Sequence, residues 1–438
     1  MTLKTLKSDP SHEAATTPGI HDGTHLRSVM GSVGVRASRD EPTPFLASMR
    51  APTSEFTVGT VRSISGLLAL EDEWRELETR LPCHPFVSFD WNVAWWQHMH
   101  ERKRLVVDEL SIKTFRTASG KLCAVAPLMV TVRPAVGPIR MRQLHFFGAD
   151  SNMTEIRGVA VPDELRQSVY LALLKEMKST ANTWDWLIMS GLPSAPTITS
   201  AMQEVLPTTR WLDDVPISIL RLPPTWAEFK TGLSRNIKES LRKCQNAPKR
   251  DGLTLTPTVA RTPSDVATAV EKFLHLHRCR SDRMDTIHHQ NVFKTADSRR
   301  FLRDVCQRYA ARDALRIFQL TLADEVIATR IGFLLGNTLY LYYSGYNPNY
   351  AKYSVMTTTL AHAIQYAIGN GIQIINLSTG NDLSKERWNP ERFTYRSALV
   401  VSQTLRGQIA HGTFAALRKS LAGVPVMRSL HALVSRGS

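Results

Sequence analysis

The stretch that decides the fold is "ALRIFQLTLADEVIATRIGFLLGNTLYLYYSGYNP", Ala314 to Pro348. Phe318, Leu320 and Leu322 alternate with Gln319 and Thr321, Asp324 and Glu325 supply turn chemistry, and Ile327, Thr329, Ile331 and Phe333 resume a period of two. Gly336-Asn337 is a two-residue turn signal, after which the pleat places Leu339, Leu341 and Tyr343 on one face and Tyr340 and Tyr342 on the other. A three-stranded antiparallel meander is the expected result.

Beyond the meander, Ser354 is the expected cap of a helix whose apolar face is Leu360, Ala361, Ile364, Ala367 and Ile368, stopped by Gly369 and Gly371. "IQIINLS" then reads as a buried strand that runs into a loop dense in polar and aromatic chemistry, with Gly380, Asn381, Asp382, Lys385, Arg387 and Trp388. "FTYRSALVVSQ" supplies a last strand. Upstream, "TWAEFKTGLSRNIKESLRKCQNAPKRDG" carries Arg235, Lys238, Arg242, Lys243, Lys249 and Arg250 at helical spacing, either a solvated helix face or an anion-facing one.

The first half is also mixed. Helical "LLALEDEWRELETRL" and "FVSFDWNVAWWQHM" precede strand-like "ELSIKTF" and "LCAVAPLMVTV", and "RQLHFFG" and "DWLIMSGL" flank a helical "DELRQSVYLALLKEMKST". Trp91, Trp95 and Trp96 fall at helical spacing, which favours packing in a core or lobe seam. A chain of 438 residues, 43% hydrophobic, holds enough apolar material for two domains. The expected divisions are a disordered tail over 1–54, rich in Ser, Thr, Pro and Gly, lobes over 55–215 and 216–403, and a basic amphipathic helical segment over 404–438.

The net charge of +15 points to anionic partners. Five scattered cysteines without a C-x-x-C pair exclude the common zinc and redox patterns, so no metal is expected and a reduced, cytoplasmic protein is. No apolar leader core and no run of roughly 18 apolar residues is present. From Arg392 to Ser438 there is no acidic residue, and "FAALRKSLAG" and "VMRSLHALVSRG" read as amphipathic helix, which suits either packing on a lobe or peripheral contact with an anionic membrane surface.

The order of elements resembles the core of the GNAT acetyltransferases, and more specifically the CelD/BcsL-type branch associated with cellulose biosynthesis, whose two-lobed architecture is shared with the FemAB peptidyltransferases. The markers are Phe86, Trp91 and Trp95, "LSRNIKESLRK", "LADEVIATRIGF", "YYSGYNPNYAKYS" and "NGIQIINLSTGNDLSKERW", within residues 56–425. Gly380, Asp382, Lys385 and Trp388 match the branch's pattern after its last buried strand, while Asn376, Leu377 and Ser384 depart from it. The glycine-rich phosphate loop of the superfamily is absent, and Val355-Met356 stands where the branch commonly has Pro-Gly.

The resemblance implies an α+β fold of tandem GNAT-like lobes, each a mixed central sheet flanked by helices, and an acyltransferase using acetyl-CoA or another acyl-CoA on an amine or hydroxyl of a glycan or envelope precursor. It implies Asp382 as base or acceptor-orienting carboxylate, Tyr346 as acid and Lys385 as anion contact. Tyr343, Lys352, Ser354, Val355 and Met356 would meet the cofactor, and Gly380, Asn381 and Trp388 the acceptor. His288 and His289 stay outside the catalytic set. The alternatives are a FemAB-like aminoacyltransferase drawing on aminoacyl-tRNA, and a degenerate lobe that binds within a polysaccharide assembly machine.

Overall fold

The computed structural model describes residues 56–81, 84–134, 140–150, 152–283, 289–380 and 382–422. The expectation for the tail over 1–54 lies outside them. In chain order the strands are β1 Thr57–Val61, β2 Val107–Leu110, β3 Ile112–Arg116, β4 Leu122–Ala126, β5 Leu128–Pro134, β6 Arg140–Phe146, β7 Trp186–Pro193, β8 Thr209–Trp211 and β9 Val215–Arg221. They continue with β10 Leu255–Ala260, β11 Leu315–Leu322, β12 Glu325–Leu335, β13 Thr338–Tyr346, β14 Ile374–Thr379 and β15 Glu391–Val401. The meander read from Ala314–Pro348 is β11-β12-β13, all antiparallel, with Pro257 confined to the edge strand β10, where a missing N–H costs no ladder bond.

Among the described residues two lobes share one sheet of twelve strands, in the order β10-β11-β12-β13-β14-β9-β15-β7-β6-β5-β2 with β8 also pairing β15; β1, β3 and β4 form a separate small sheet. Each lobe repeats one unit: β6 and β7 pair in parallel across the helix Arg166–Ser179, and β13 and β14 pair in parallel across the helix Val355–Gly369. The strands that close the two units are exchanged. β9, following the first unit in the chain, pairs with β14 of the second, while β15, following the second, pairs with β7 of the first. β9 and β15 then pair with each other, Phe393 opposite Ile217, which makes the sheet continuous.

The seam between the lobes is aromatic. The helix Phe89–Met99 is apolar almost all round and buries nine of its eleven residues, as a helix enclosed between two layers must. Trp91 meets Phe86 at 4.6 Å, Phe301 at 5.1 Å, Tyr342 at 5.8 Å and Phe333 at 5.9 Å between ring centroids, so residues from both halves share one core. Buried Asp90 is paired by Arg75 at 2.8 Å and by Arg312 from the other half at 2.8 Å, which compensates its desolvation.

After β15 the helix Leu405–Ala422 packs on the first lobe: Phe414 stacks on Trp186 at 4.8 Å and Arg406 donates to the carboxylate of Asp185 at 3.1 Å; the rest of the expected segment, 423–438, lies outside the described residues. Among the described residues no helix is long and apolar enough to cross a membrane.

Candidate active site

β13 and β14 pair only over Thr338–Tyr340 and Ile374–Asn376. Beyond that they diverge, and the remainder of β13, Leu341–Tyr346, leaves its hydrogen-bonding edge open toward β14. A bulge adds to the opening: Arg330 lies opposite Ser344 and Gly332 opposite Leu341, so β13 spends one more residue than β12 between these pairs. The bulge corrects the alternation read from sequence. Tyr343 joins Tyr340 and Tyr342 on the seam face, where their hydroxyls donate respectively to Asn152 O at 2.8 Å, Glu155 Oε2 at 2.6 Å and Met153 O at 2.5 Å, while Leu339 and Leu341 face the other core.

Those acceptors belong to a first-lobe segment that crosses the splay. Asp150 fixes it: its carboxylate accepts from Met153 N at 2.7 Å, Thr154 N at 3.1 Å, Thr154 Oγ1 at 2.8 Å and Trp95 Nε1 at 2.9 Å, and Trp91 Nε1 donates to Thr154 Oγ1 at 3.2 Å. The tryptophans that anchor the seam therefore position the loop that carries Glu155.

Glu155 is the centre of the site. Ser378 Oγ lies 2.7 and 2.8 Å from its two carboxylate oxygens, Tyr340 donates from β13, and Lys385 and Arg330 contribute positive field. Burial raises its pKa, the hydroxyl donors and cations pull it back, and the balance stands at about 7. Ser378 is itself held at φ 71, a left-handed conformation uncommon outside glycine, with its N–H donating to Asn376 Oδ1 at 2.8 Å. Arg330, lowered to about 10 chiefly by burial and also by Arg280, has no hydrogen-bond partner for its Nε among the described residues. The guanidinium of Arg280 donates to Ser344 Oγ at 2.8 Å and to His289 Nε2 at 2.8 Å, and sits 6.0 Å from the ring of Tyr346.

Of the residues expected from sequence, Asp382 and Lys385 share this field. Asp382 lies 3.4 Å from Lys385 Nζ; burial opposes its ionisation, but the Ser384 hydroxyl and Lys385 outweigh that and hold its pKa below the ordinary value. Lys385 also donates to Thr379 O, and burial lowers its pKa. Gly380, at φ 96, donates its N–H to Pro216 O at 2.8 Å beside them. Asn381 lies outside the described residues.

Three expectations change. Trp388 is 2% exposed and stacks toward Phe229 at 6.4 Å in the second lobe's core, so it presents no surface to an acceptor. Ser354 does not cap the helix through its side chain: it takes φ 53, its N–H donates to Ala351 O at 2.9 Å, and its carbonyl accepts from Thr357 N. Val355 is buried against Leu320, Ile327 and Tyr353, with Met356 packed at the edge of that cluster. Lys352 is exposed and pairs with Asp251 at 3.4 Å.

An acyl-CoA would meet three features of the splay. The open edge of β13 offers backbone groups to an extended amide chain, the left-handed turn at Ser354 provides the tight bend that glycine would otherwise supply, and Lys352 stands just before the positive end of the helix Val355–Gly369. Among the described residues no group of His, Cys, Asp and Glu side chains forms a metal-holding cluster. Glu155, Ser378, Tyr340 and Arg330 escaped the sequence reading. The one signal for Glu155 was a carboxylate set among Met153, Ile156 and the apolar run Val159-Ala160-Val161.

Residues 233–388 match the family described as the acetyltransferase (GNAT) domain. No curated protein matches the chain. Among solved structures, FemX is 9% identical with a TM-score of 0.54 over 78% of this chain and 98% of its own, a likeness of fold. A tandem GNAT protein from the clavulanic acid biosynthesis pathway is 9% identical with a TM-score of 0.41, covering 80% of this chain and 99% of its own. A GCN5-related N-acetyltransferase from Sphaerobacter thermophilus is 10% identical with a TM-score of 0.35, covering 80% and 96%. The architecture is thus an α+β fold of two GNAT-like lobes, the second carrying the matched domain.

Proposed function

We propose that the chain is an acyltransferase of the CelD/BcsL type that moves an acyl group from acyl-CoA to an amine or hydroxyl on a glycan or envelope precursor. The observation that carries the reading is Glu155, a carboxyl balanced near pH 7 inside the splay of β13 and β14. A thioester supplies an activated acyl group; the acceptor must lose a proton as it attacks, and a base tuned near neutral pH is the efficient one for that step. Glu155 takes this proton. Ser378 and Tyr340 hold its oxygens in place, and Lys385 and Arg330 stabilise its ionised form.

Asp382, paired with Lys385 and kept ionised at neutral pH, orients the acceptor in place of taking its proton. The residue released from the ladder by the β13 bulge offers its backbone N–H to the oxyanion, and Tyr346, beside Arg280, returns a proton to the leaving thiolate. Calorimetry with acetyl-CoA, followed by transfer assays over amine and hydroxyl sugars, tests the reading. Absence of binding by both acetyl-CoA and CoA would dismiss it.

A second donor, aminoacyl-tRNA, is favoured by one observation: Arg235, Lys238, Arg242, Lys243, Lys249 and Arg250 are all exposed along the helix Arg235–Arg250. Stabilisation by aminoacyl-tRNA without stabilisation by acetyl-CoA would select it. Attachment to an anionic membrane surface is supported by Leu405, Ile409 and Leu417, exposed on the helix Leu405–Ala422 within a stretch free of acidic residues.

A further inference from the structure

The first lobe has a splay of its own. β6 and β7 pair only from Gln143–His145 to Trp186–Ile188, and the strands part beyond His145 just as β13 and β14 part beyond Tyr340. Beside β7, on the side of β8 and β15, lies a cavity of about 520 Å³, bounded by Ile188, Ser190 and Gly191 of β7, by Trp211 and Tyr395 of the neighbouring strands, and by the segment bearing Glu155 and Arg157. Gly191 makes this close arrangement possible: at φ +66, a Cβ there would stand 1.6 Å from Arg157 O, so the backbone of Arg157 lies directly against it.

Arg157 is only partly exposed, burial lowers its pKa, and yet it makes no hydrogen bond or ion pair with any described residue. Nor is any of its nitrogens sealed away from solvent without a partner among the described residues, as the Nε atoms of Arg142, Arg280 and Arg330 are. The field of Asp150 offsets part of the desolvation, but no group bonds the recessed, accessible guanidinium directly, and its fork matches carboxylate and phosphate oxygens. Glu155, two residues away, borders both this cavity and the splay of β13 and β14.

From this juxtaposition we infer that this cavity beside β7 is the acceptor pocket, and that it takes a sugar bearing a carboxylate or phosphate, with Arg157 as the anion contact. The inference rests on the acyltransfer reading for the word acceptor. An anion on Arg157 leaves the reactive amine or hydroxyl of the same molecule to reach Glu155, and Trp211 and Tyr395 bring aromatic surface for the ring. Among the described residues Asp213, at the rim, is the one other acid lining the cavity, and it is exposed to solvent that screens it.

The test is calorimetric titration of the full chain with glucuronate, glucose 6-phosphate and glucose. At least one anionic sugar should bind tenfold or more tighter than glucose, the tighter of the two identifying the anion, and Arg157→Met should bring all three to the same weak affinity. Equal affinities in the wild type, no binding by any of the three, or a preference kept in folded Arg157→Met would overturn the assignment. Should that variant not fold, phenylglyoxal labelling of the wild type answers instead: the anionic sugar must protect Arg157 and glucose must not, and equal labelling with either sugar overturns the assignment. Acetyl-CoA titrated in the same series separates the two ideas, since loss of acetyl-CoA binding beside intact anionic-sugar binding removes only the acyltransfer reading.

Discussion

Tyr340 donates a 2.6 Å hydrogen bond to Glu155 across 185 residues of chain and across the seam between the lobes. The tyrosine is the last β13 residue to pair with β14, and the carboxylate belongs to the first lobe's crossing segment. Neither lobe holds the site alone: the second supplies the splayed strands and the first supplies the titrating group.

Glu155→Gln keeps the shape and removes the base. Acyl transfer should fall by roughly a hundredfold or more, and the rising limb of the pH–rate profile near pH 7 should vanish. Wild-type rates from folded Glu155→Gln would take Glu155 out of the mechanism.

The same carboxyl links pH to stability. Its pKa is raised from 4.5 to about 7, so the folded state holds the proton more tightly than the unfolded chain does. That stabilisation is complete below the unfolded value and is lost as pH rises toward and through about 7. Thermal melts of wild type against Glu155→Gln should therefore coincide at acidic pH and separate, wild type lower, between pH 4.5 and about 7. Parallel curves across that window would mean that Glu155 ionises normally.

Lys385 favours the charged form of Glu155 through its field. Lys385→Met should therefore move the limb of the pH–rate profile to higher pH while leaving its shape intact. A lowered plateau with an unmoved limb would assign Lys385 to substrate contact instead.

Gly345 lies where the helix Pro263–Ser281 crosses β13, and a Cβ there would stand 2.4 Å from His277 N and 2.5 Å from Leu276 C. Both are backbone atoms, so Gly345→Ala must push the helix, with its His277 and Arg280 contacts to Ser344, away from the strand. A loss of about 1–3 kcal/mol in denaturant unfolding is expected. A change below about 0.5 kcal/mol would show that the helix shifts freely.

Leu405 and Ile409 are 75% and 55% exposed on a helix otherwise seated on the first lobe. Sedimentation with anionic liposomes at low salt should carry down the full chain, release it as salt rises, and fail for the double variant Leu405→Glu, Ile409→Glu. Equal pelleting of both proteins would dismiss this face as the point of attachment.

The local pattern of the chain determined the meander, the helix after it, the buried strand Ile374–Thr379 and the polar loop that follows, because alternation, turn residues and helical spacing are short-range signals. It also brought Asp382 and Lys385 to notice, since they lie together on one loop. The exchange of β9 and β15, the bulge that turns Tyr343 onto the seam face, and the burial of Trp388 came only with tertiary structure. So did Glu155 and Arg157. An acid and a base two residues apart in a loop carry no local mark of function; what distinguishes them is desolvation and the partners each gains or lacks, and both are set by a seam between residues more than a hundred positions apart, about as far from a short-range signal as the chain allows.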